Sequence, residues 1–370
     1  MDKNSILIDK VQQMDHERIA DLKKRNTRII DAVLKKAQKV CPTSIALIGI
    51  GGSFCHGDIH ERSDLDLCIV INNNDGWKIA DCFILDEVGF DIYCTPWHRL
   101  EAMAEYTNPH VTKLLHLDIV YHADAESLAR YMTLRETVQK KLNAPFSVED
   151  AKNVTMHLTD AMHAYASVML GDSAAECKYA SAKMLLAVEY LIYHANKAYI
   201  HYGVRRVPEE LRSMDRLPQD FWSDYQQLIA ANSQDGIQSC STRLMKTVQA
   251  FVADLNKSVT AKKEITQDAV RGTYEEIVSN WRSKMVLAAQ TDDAYLALMT
   301  MASCQGFYDE FSNEYNVERV RLFEEFHIDD LSRSAERFDA AAEYYRDLYA
   351  QLGEPIRSYA GIEEFEKAYL

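Results

Sequence analysis

The sequence predicts an α+β protein in which mixed strands and helices come first and helices alone follow. Three observations carry this. Two apolar runs, Ile45–Ile50 and Leu65–Asn72, flank a glycine cluster that takes four of the 13 glycines between positions 49 and 57. Six of the seven prolines lie at or before Pro218, and none falls between Pro218 and Pro355. From about residue 148 onward apolar residues recur with the helical period, and a proline-free stretch with that period reads as helix.

Taken in order, residues 8–40 read as a helix whose stripe includes Ile29, Ile30, Val33, Leu34 and Val40, stopped by Pro42. Ile45–Ile50 reads as a buried strand, followed by the turn Gly51-Gly52-Ser53. Leu65–Asn72 is a second strand, ended by Asn72-Asn73-Asn74-Asp75-Gly76. Residues 78–85 and 89–95 read as antiparallel partners about Asp86-Glu87-Val88-Gly89. A helix over 97–106, a short strand over 117–121 and a helix over 124–141 complete this part. Ser147 with Asp150 marks a capping-box variant at the next helix entry. Helices are then expected near 148–170, 177–201, 219–232, 237–256, 264–290, 292–313, 316–326, 329–351 and 361–369. The domain joints fall at composition shifts, giving segments 1–145, 146–260 and 261–370. Met299, Met301, Phe307 and Phe311 read as core.

The chemistry concentrates in Gly51-Gly52-Ser53 and Ser63-Asp64-Leu65-Asp66. Residues two apart on a strand project from one face. Two carboxylates on one face of an otherwise apolar strand repel and desolvate each other unless a cation lies between them. A divalent metal meets that need, and a glycine-serine turn offers backbone N–H groups to a phosphate. Metal and phosphate together point to phosphoryl or nucleotidyl transfer. Mg²⁺ takes oxygen ligands in an octahedron, so a third carboxylate is required for two ions. Asp91, in Gly89-Phe90-Asp91-Ile92-Tyr93, is the candidate, since a strand beside 65–70 brings it to the pair. Two metals then activate the attacking oxygen and neutralise the leaving group.

Gly52-Ser53, Gly57, Ser63-Asp64-Leu65-Asp66 and a later apolar-Asp-apolar strand together resemble the polymerase-beta-like nucleotidyltransferase superfamily. The style is nearest to the aminoglycoside and lincosamide antibiotic nucleotidyltransferases. The resemblance spans residues 40–95, with one glycine more than the usual Gly-Ser. It implies a small mixed sheet with helices on one side and an all-helical partner domain facing the site. It implies transfer of a nucleoside monophosphate from a nucleoside triphosphate, ATP first, to an acceptor hydroxyl, with release of pyrophosphate. Carried over, Gly52 and Ser53 contact the triphosphate, Asp64 and Asp66 bind two Mg²⁺ ions, and Asp91 completes the site.

In the antibiotic-modifying relatives a carboxylate of the helical domain serves as general base. Glu189 is the sole Asp or Glu between Cys177 and Gly203, and so apolar a helix raises a carboxyl pKa. Asn196 shares its face. The alternative is a helix acid paired with a lysine. Lys178, Lys183, Arg205 and Arg206 are candidates for the triphosphate, Arg being suited to bidentate phosphate contact. As surface charges they need no function. His56 and His60 are loop histidines near the phosphate turn, more commonly solvated than phosphate-bound. His157, Asp160 and His163 have a metal-ligating helical spacing, but an exposed polar stripe is the commoner explanation. Cys55 has no neighbour that marks it for covalent chemistry. Tyr308, Tyr315, Tyr344, Tyr345 and Tyr349 recur in acidic C-terminal helices, where they pack helices or line a cationic pocket.

Formal net charge is −15, and residues 271–370 hold 20 Asp+Glu against 10 Lys+Arg. With no basic cluster, such a chain repels polyanions, which disfavours nucleic acid as partner and favours a small neutral or cationic acceptor. The acidity serves solubility equally well. Eight cysteines without a CxxC pair suggest reduced thiols in a cytoplasm. No apolar run approaches 20 residues, and the beginning of the chain lacks a signal-peptide pattern, so no membrane partner is expected. The last 110 residues have no counterpart in the motif. Capping the acceptor pocket, homodimerisation and binding a regulator all stay open for them. A nucleotide-binding sensor without catalysis, and transfer to protein or RNA, are the competing functions.

Overall fold

The structure is a computed structural model that describes residues 3–53 and 63–370, with backbone alone for residues 3–18. Gly57, His56, His60 and Cys55 therefore lie outside the described residues. Two compact units are present, Met1–Val259 and Thr260–Leu370. Segment 1–145 of the sequence reading and residues 146–259 of the next segment fall within the first of them.

The first unit begins with helix α1 (Lys3–Val40), which packs on a four-stranded sheet. Strands β1 (Ile45–Ile50) and β2 (Leu67–Ile71) are apolar and buried along their whole length. Strands β3 (Asp81–Leu85) and β4 (Val88–Ile92) form a hairpin whose turn residues Asp86 and Glu87 both have positive φ, 52° and 61°. This primed turn matches strand twist. The sheet is completed by β5 (Cys94–Pro96) and β6 (Asp118–His122). Its order is β5-β2-β1-β6, with β1 antiparallel to both neighbours and β5 parallel to β2. The sheet is thus small and mixed, and the chain is α+β.

Alternation along β2 assigns its side chains to two cores. Leu67, Ile69 and Ile71 face Val33 and Ala37 of α1 together with Phe90 and Ile92 of the hairpin. Cys68 and Val70 face helices α2 (Trp97–Ala104), α3 (Thr112–Leu115) and α4 (Ala125–Asn143), which bury Leu100, Leu114 and Tyr131 there. Helices therefore cover both faces of the sheet, where the resemblance implied one. Helix α1 is the reason, because its stripe of Ile29, Val33 and Ala37 needs an apolar partner of its own.

A helical core follows in the same unit. Helix α5 (Val148–Met169) opens with the anticipated capping box between Ser147 and Asp150. It packs with α6 (Ala174–Ala195), the short α7 (Val207–Arg212), α8 (Phe221–Ala230) and α9 (Gln234–Val259). Helix α7 is absent from the sequence reading. Pro208 within its first two positions starts a helix, whereas proline was weighed as a stop. Loop 106–112 is pinned to the helices: Tyr106 Oη donates to the Ala198 carbonyl at 2.6 Å and Ile200 N to the Pro109 carbonyl at 3.1 Å.

The second unit has its own core around Met301, Tyr308, Phe338 and Tyr345. The continuous helix expected at 264–290 is instead α10 (Gln267–Val270), α11 (Thr273–Glu276), a π turn over Ile277–Arg282 and α12 (Ser283–Thr291). Gly272, at φ +83°, makes the break. Helices α13 (Ala294–Glu314), α14 (Leu331–Leu352) and α15 (Ile362–Tyr369) follow. Between 316 and 326 only the 3₁₀ turn Leu322–Glu325 is helical. Tyr308, Tyr345 and Tyr349 are buried packing residues rather than the lining of a pocket, and Met299, expected in the core, is exposed.

Candidate functional site

The glycine turn and the first aspartate pair meet at the end of β1. Gly51 N donates to the Asp66 carbonyl at 2.9 Å, which extends the β1–β2 pairing past the strands themselves. Gly52 has φ +66°, and a methyl group built on it would lie 1.7 Å from Asp66 Oδ2. Glycine is therefore required there twice, by backbone conformation and by the carboxylate seated against its α-carbon. Ser53 follows, half-buried.

Asp64 and Asp66 precede the first residue of β2 rather than lying inside it, but burial alternates as on a strand. Ser63, Leu65 and Leu67 are buried and the two aspartates are exposed. By that alternation the aspartates fall on the side that carries Cys68 and Val70. Partial burial first, and the charge of Asp64 second, push the Asp66 pKa above the usual carboxylate range, while Lys113 of α3 pulls it down. Among the described residues neither carboxylate has an ion-pair partner within 4.0 Å. The chemistry of this donor set suits a cation, which would offset both the burial and the Asp64 charge that raise Asp66.

Asp91 sits exposed on β4, opposite Cys82, whose thiol donates to Asp91 Oδ1 at 3.3 Å. Asp91 lies three residues before Cys94, which pairs with Ile69 in the parallel β2–β5 ladder, but β4 itself pairs with β3 in a separate two-stranded sheet. Among the described residues, however, no three His, Cys, Asp or Glu side chains are grouped closely enough to hold a metal.

Arg25 of α1 touches both carboxylate-bearing segments. Its Nη2 donates to the Ser63 carbonyl at 2.8 Å, and its guanidinium lies 4.9 Å from the centre of the Phe90 ring. Neither Arg25 nor Lys113 was singled out from the sequence. Their roles depend on which segments the sheet brings together, and a lone basic residue in a helix carries no sign of that.

The other candidates are held in various ways. Glu189 is half-buried on α6 and accepts from Tyr225 Oη at 2.7 Å; burial raises its pKa, with the Tyr225 hydrogen bond opposing. Its partner is thus a tyrosine and not a lysine. Asn196 caps the end of α6 through the Ile192 and Arg216 carbonyls and the Arg216 N–H. Lys178 donates to the carbonyls of Leu228, Ile229 and Ala231, closing the C-terminus of α8. Arg206 pairs with Glu209 at 2.6 Å and lies over the Tyr202 ring, with exposed Arg205 beside it on the turn Val204–Arg206. His157, Asp160, His163 and Lys183 line one open cleft of about 440 Å³ between α5 and α6. There His157 is buried and stacked on His194 at 5.0 Å.

No protein-family model matches the sequence, and neither does any curated protein. Among solved structures, the chain is similar to a nucleotidyltransferase-like protein from Exiguobacterium sibiricum 255-15. The identity is 13% and the TM-score 0.33, over 70% of this chain and 80% of that one. Among the described residues no helix is long and apolar enough to cross a membrane.

Proposed function

We propose that the protein is a Mg²⁺-dependent nucleotidyltransferase. It moves a nucleoside monophosphate from a nucleoside triphosphate, ATP first, to a hydroxyl of a small-molecule acceptor and releases pyrophosphate. The observation that carries the proposal is the seating of the Asp66 carboxylate against Gly52. It joins a turn suited to phosphate and a carboxylate pair suited to a cation into one structure. In this reading the turn at Gly52 and Ser53 receives the triphosphate. Asp64 and Asp66 hold the metal ions, with Asp91 as third carboxylate from the neighbouring hairpin. Bound Mg²⁺ would supply charge neutralisation at the transferred phosphoryl group. Lys113, on the same sheet face, supplies positive charge toward the nucleotide. Glu189 is assigned to take the acceptor proton, a role its raised pKa supports. Arg205 and Arg206 are assigned to the polyphosphate. An aminoglycoside-like antibiotic fits the acidic chain as acceptor, since such ligands are cationic.

Pyrophosphate release tests the proposal. With Mg²⁺, a triphosphate and a panel of amino-sugar and hydroxylated acceptors, the wild type is expected to release pyrophosphate, and Asp64→Asn to lose at least about a hundredfold of that rate. A panel that gives nucleotide binding without pyrophosphate supports the second reading, a nucleotide sensor. Two observations favour that alternative: Asp91 is hydrogen-bonded to Cys82, and the three carboxylates do not form a metal-holding group among the described residues.

A further inference from the structure

Residues 199–202 are fastened to the chain that leads into β6. Ile200 N donates to the Pro109 carbonyl at 3.1 Å, and Thr112 Oγ1 donates to the Ile200 carbonyl at 2.6 Å. Tyr199 Oη is hydrogen-bonded to His116 Nε2 and lies 3.2 Å from His201 Nδ1. The His201 ring stands edge to face with the His116 ring, their centres 4.2 Å apart. Glu210 of α7 fixes the backbone at the same place. Its Oε2 accepts from His201 N at 3.0 Å and from Tyr193 Oη at 2.8 Å, and its Oε1 accepts from Tyr202 N at 2.7 Å. The N–H groups of 201 and 202 flank the His201 α-carbon. One carboxylate holding both therefore sets the direction in which the imidazole leaves the chain.

His116 brings this cluster to the glycine turn. A β-carbon built on Gly51 would lie 3.9 Å from the His116 carbonyl oxygen, and Asp118, two residues on, pairs with Ile50. Asp66 meets the same turn from the other neighbour of β1. The turn thus has the aspartate on its β2 side and the histidines on its β6 side. A triphosphate whose transferred phosphoryl group is held by the aspartates, and whose remaining phosphates run over the turn, ends on the β6 side. Imidazole and guanidinium donors suit phosphate oxygens. The cluster also reaches an arginine already assigned to the polyphosphate. The Tyr202 ring is 4.3 Å from the His201 ring, and the Arg206 guanidinium lies 4.7 Å from the centre of the Tyr202 ring. We infer that His201 is a specificity-determining residue, the contact for the terminal phosphate that separates a nucleoside triphosphate from a diphosphate, and that Glu210 positions it. The inference rests on the proposed nucleotide site and calls on no third carboxylate.

The test compares the affinities of a non-hydrolysable ATP analogue and of ADP at saturating Mg²⁺, by calorimetric titration on the full chain. Wild type is expected to prefer the triphosphate by about tenfold or more, the worth of a hydrogen bond to a charged group. His201→Asn should lower the affinity for the analogue by about tenfold and leave that for ADP as in wild type, so that the preference collapses. Glu210→Ala should collapse it likewise, and Glu210→Gln, which keeps one acceptor oxygen, should restore part of it. An unchanged preference in folded His201→Asn overturns the inference. An equal fall for both ligands also overturns it, since His201 would then act on a part of the nucleotide that both share. A wild-type preference in Glu210→Ala removes the positioning role. Should the Glu210 variants fail to fold, His201→Asn decides, because it leaves the backbone bonds to Glu210 in place; His201→Gln takes its place if needed. Wild type that binds both ligands equally overturns the inference. Wild type that binds neither in a Mg²⁺-dependent way removes the nucleotide reading itself, a different result.

Discussion

At the scale of single residues, the site turns on Gly52. An L-residue in the left-handed region costs about 1–2 kcal/mol, and here a methyl group would also enter the space of Asp66 Oδ2. Gly52→Ala is therefore expected to displace the Asp66 carboxylate and to abolish Mg²⁺-dependent nucleotide binding while the fold persists, as titration and circular dichroism would report. Binding at wild-type affinity would show that the turn and the carboxylate do not act together. This residue was legible in the sequence, because a glycine before serine at the end of an apolar run implies a special turn. The partnership of Gly52 with Asp66 was not legible, since it depends on the pairing of β1 with β2. Arg25 and Lys113 escaped notice for the same reason. Nothing in Arg25-Asn26-Thr27 or Thr112-Lys113-Leu114 distinguishes these basic side chains from solvated ones.

At the scale of elements, the strands flanking the site, the hairpin and the capping box followed from local pattern, and each has a local cause. Where the pattern was read through a conformational switch it failed. Gly272 and the π turn break a stretch whose apolar spacing looks continuous, and Pro208 begins a helix. A second element-scale feature is the joint between loop 106–112 and helices α5 and α6. His194 lies there between the Tyr106 ring, 4.7 Å away, and the His157 ring. Burial first, and then neighbouring His157, lower its pKa to about 3, while the Thr107 carbonyl and Asp150 favour its charged form and Lys197 opposes it. The folded state thus binds fewer protons at this ring than the unfolded chain does. The stability it contributes is complete above pH 6.5 and declines as pH falls from there toward 3. The slope is up to about 1.4 kcal/mol per pH unit. Urea unfolding of the wild type at pH 7.5, 6 and 5 should show this decline, and His194→Phe should flatten it. A wild-type slope no steeper than that of the variant would mean that His194 is not held neutral by the fold.

At the scale of the molecule, the chain divides its work between a unit that contains the sheet, the glycine turn and all the candidate site residues, and a unit of helices with a separate aromatic core. The helical character of the second unit was plain from the period of its apolar residues. Its function was not, because packing residues such as Tyr308 and Tyr345 report only that a core exists. The acidic excess of residues 271–370 belongs to this second unit, so it bears on partners of the whole chain more than on the chemistry of the turn. The central claim concerns the first unit: Gly52, Ser53, Asp64 and Asp66 form one metal-dependent nucleotide site. Calorimetric titration with a non-hydrolysable ATP analogue, with and without Mg²⁺, addresses it most directly, on wild type and on the double variant Asp64→Ala/Asp66→Ala. The account predicts binding that requires Mg²⁺ and disappears in the double variant. Absence of binding by wild type to analogues of ATP, GTP, CTP and UTP, or equal binding by the double variant, would contradict it.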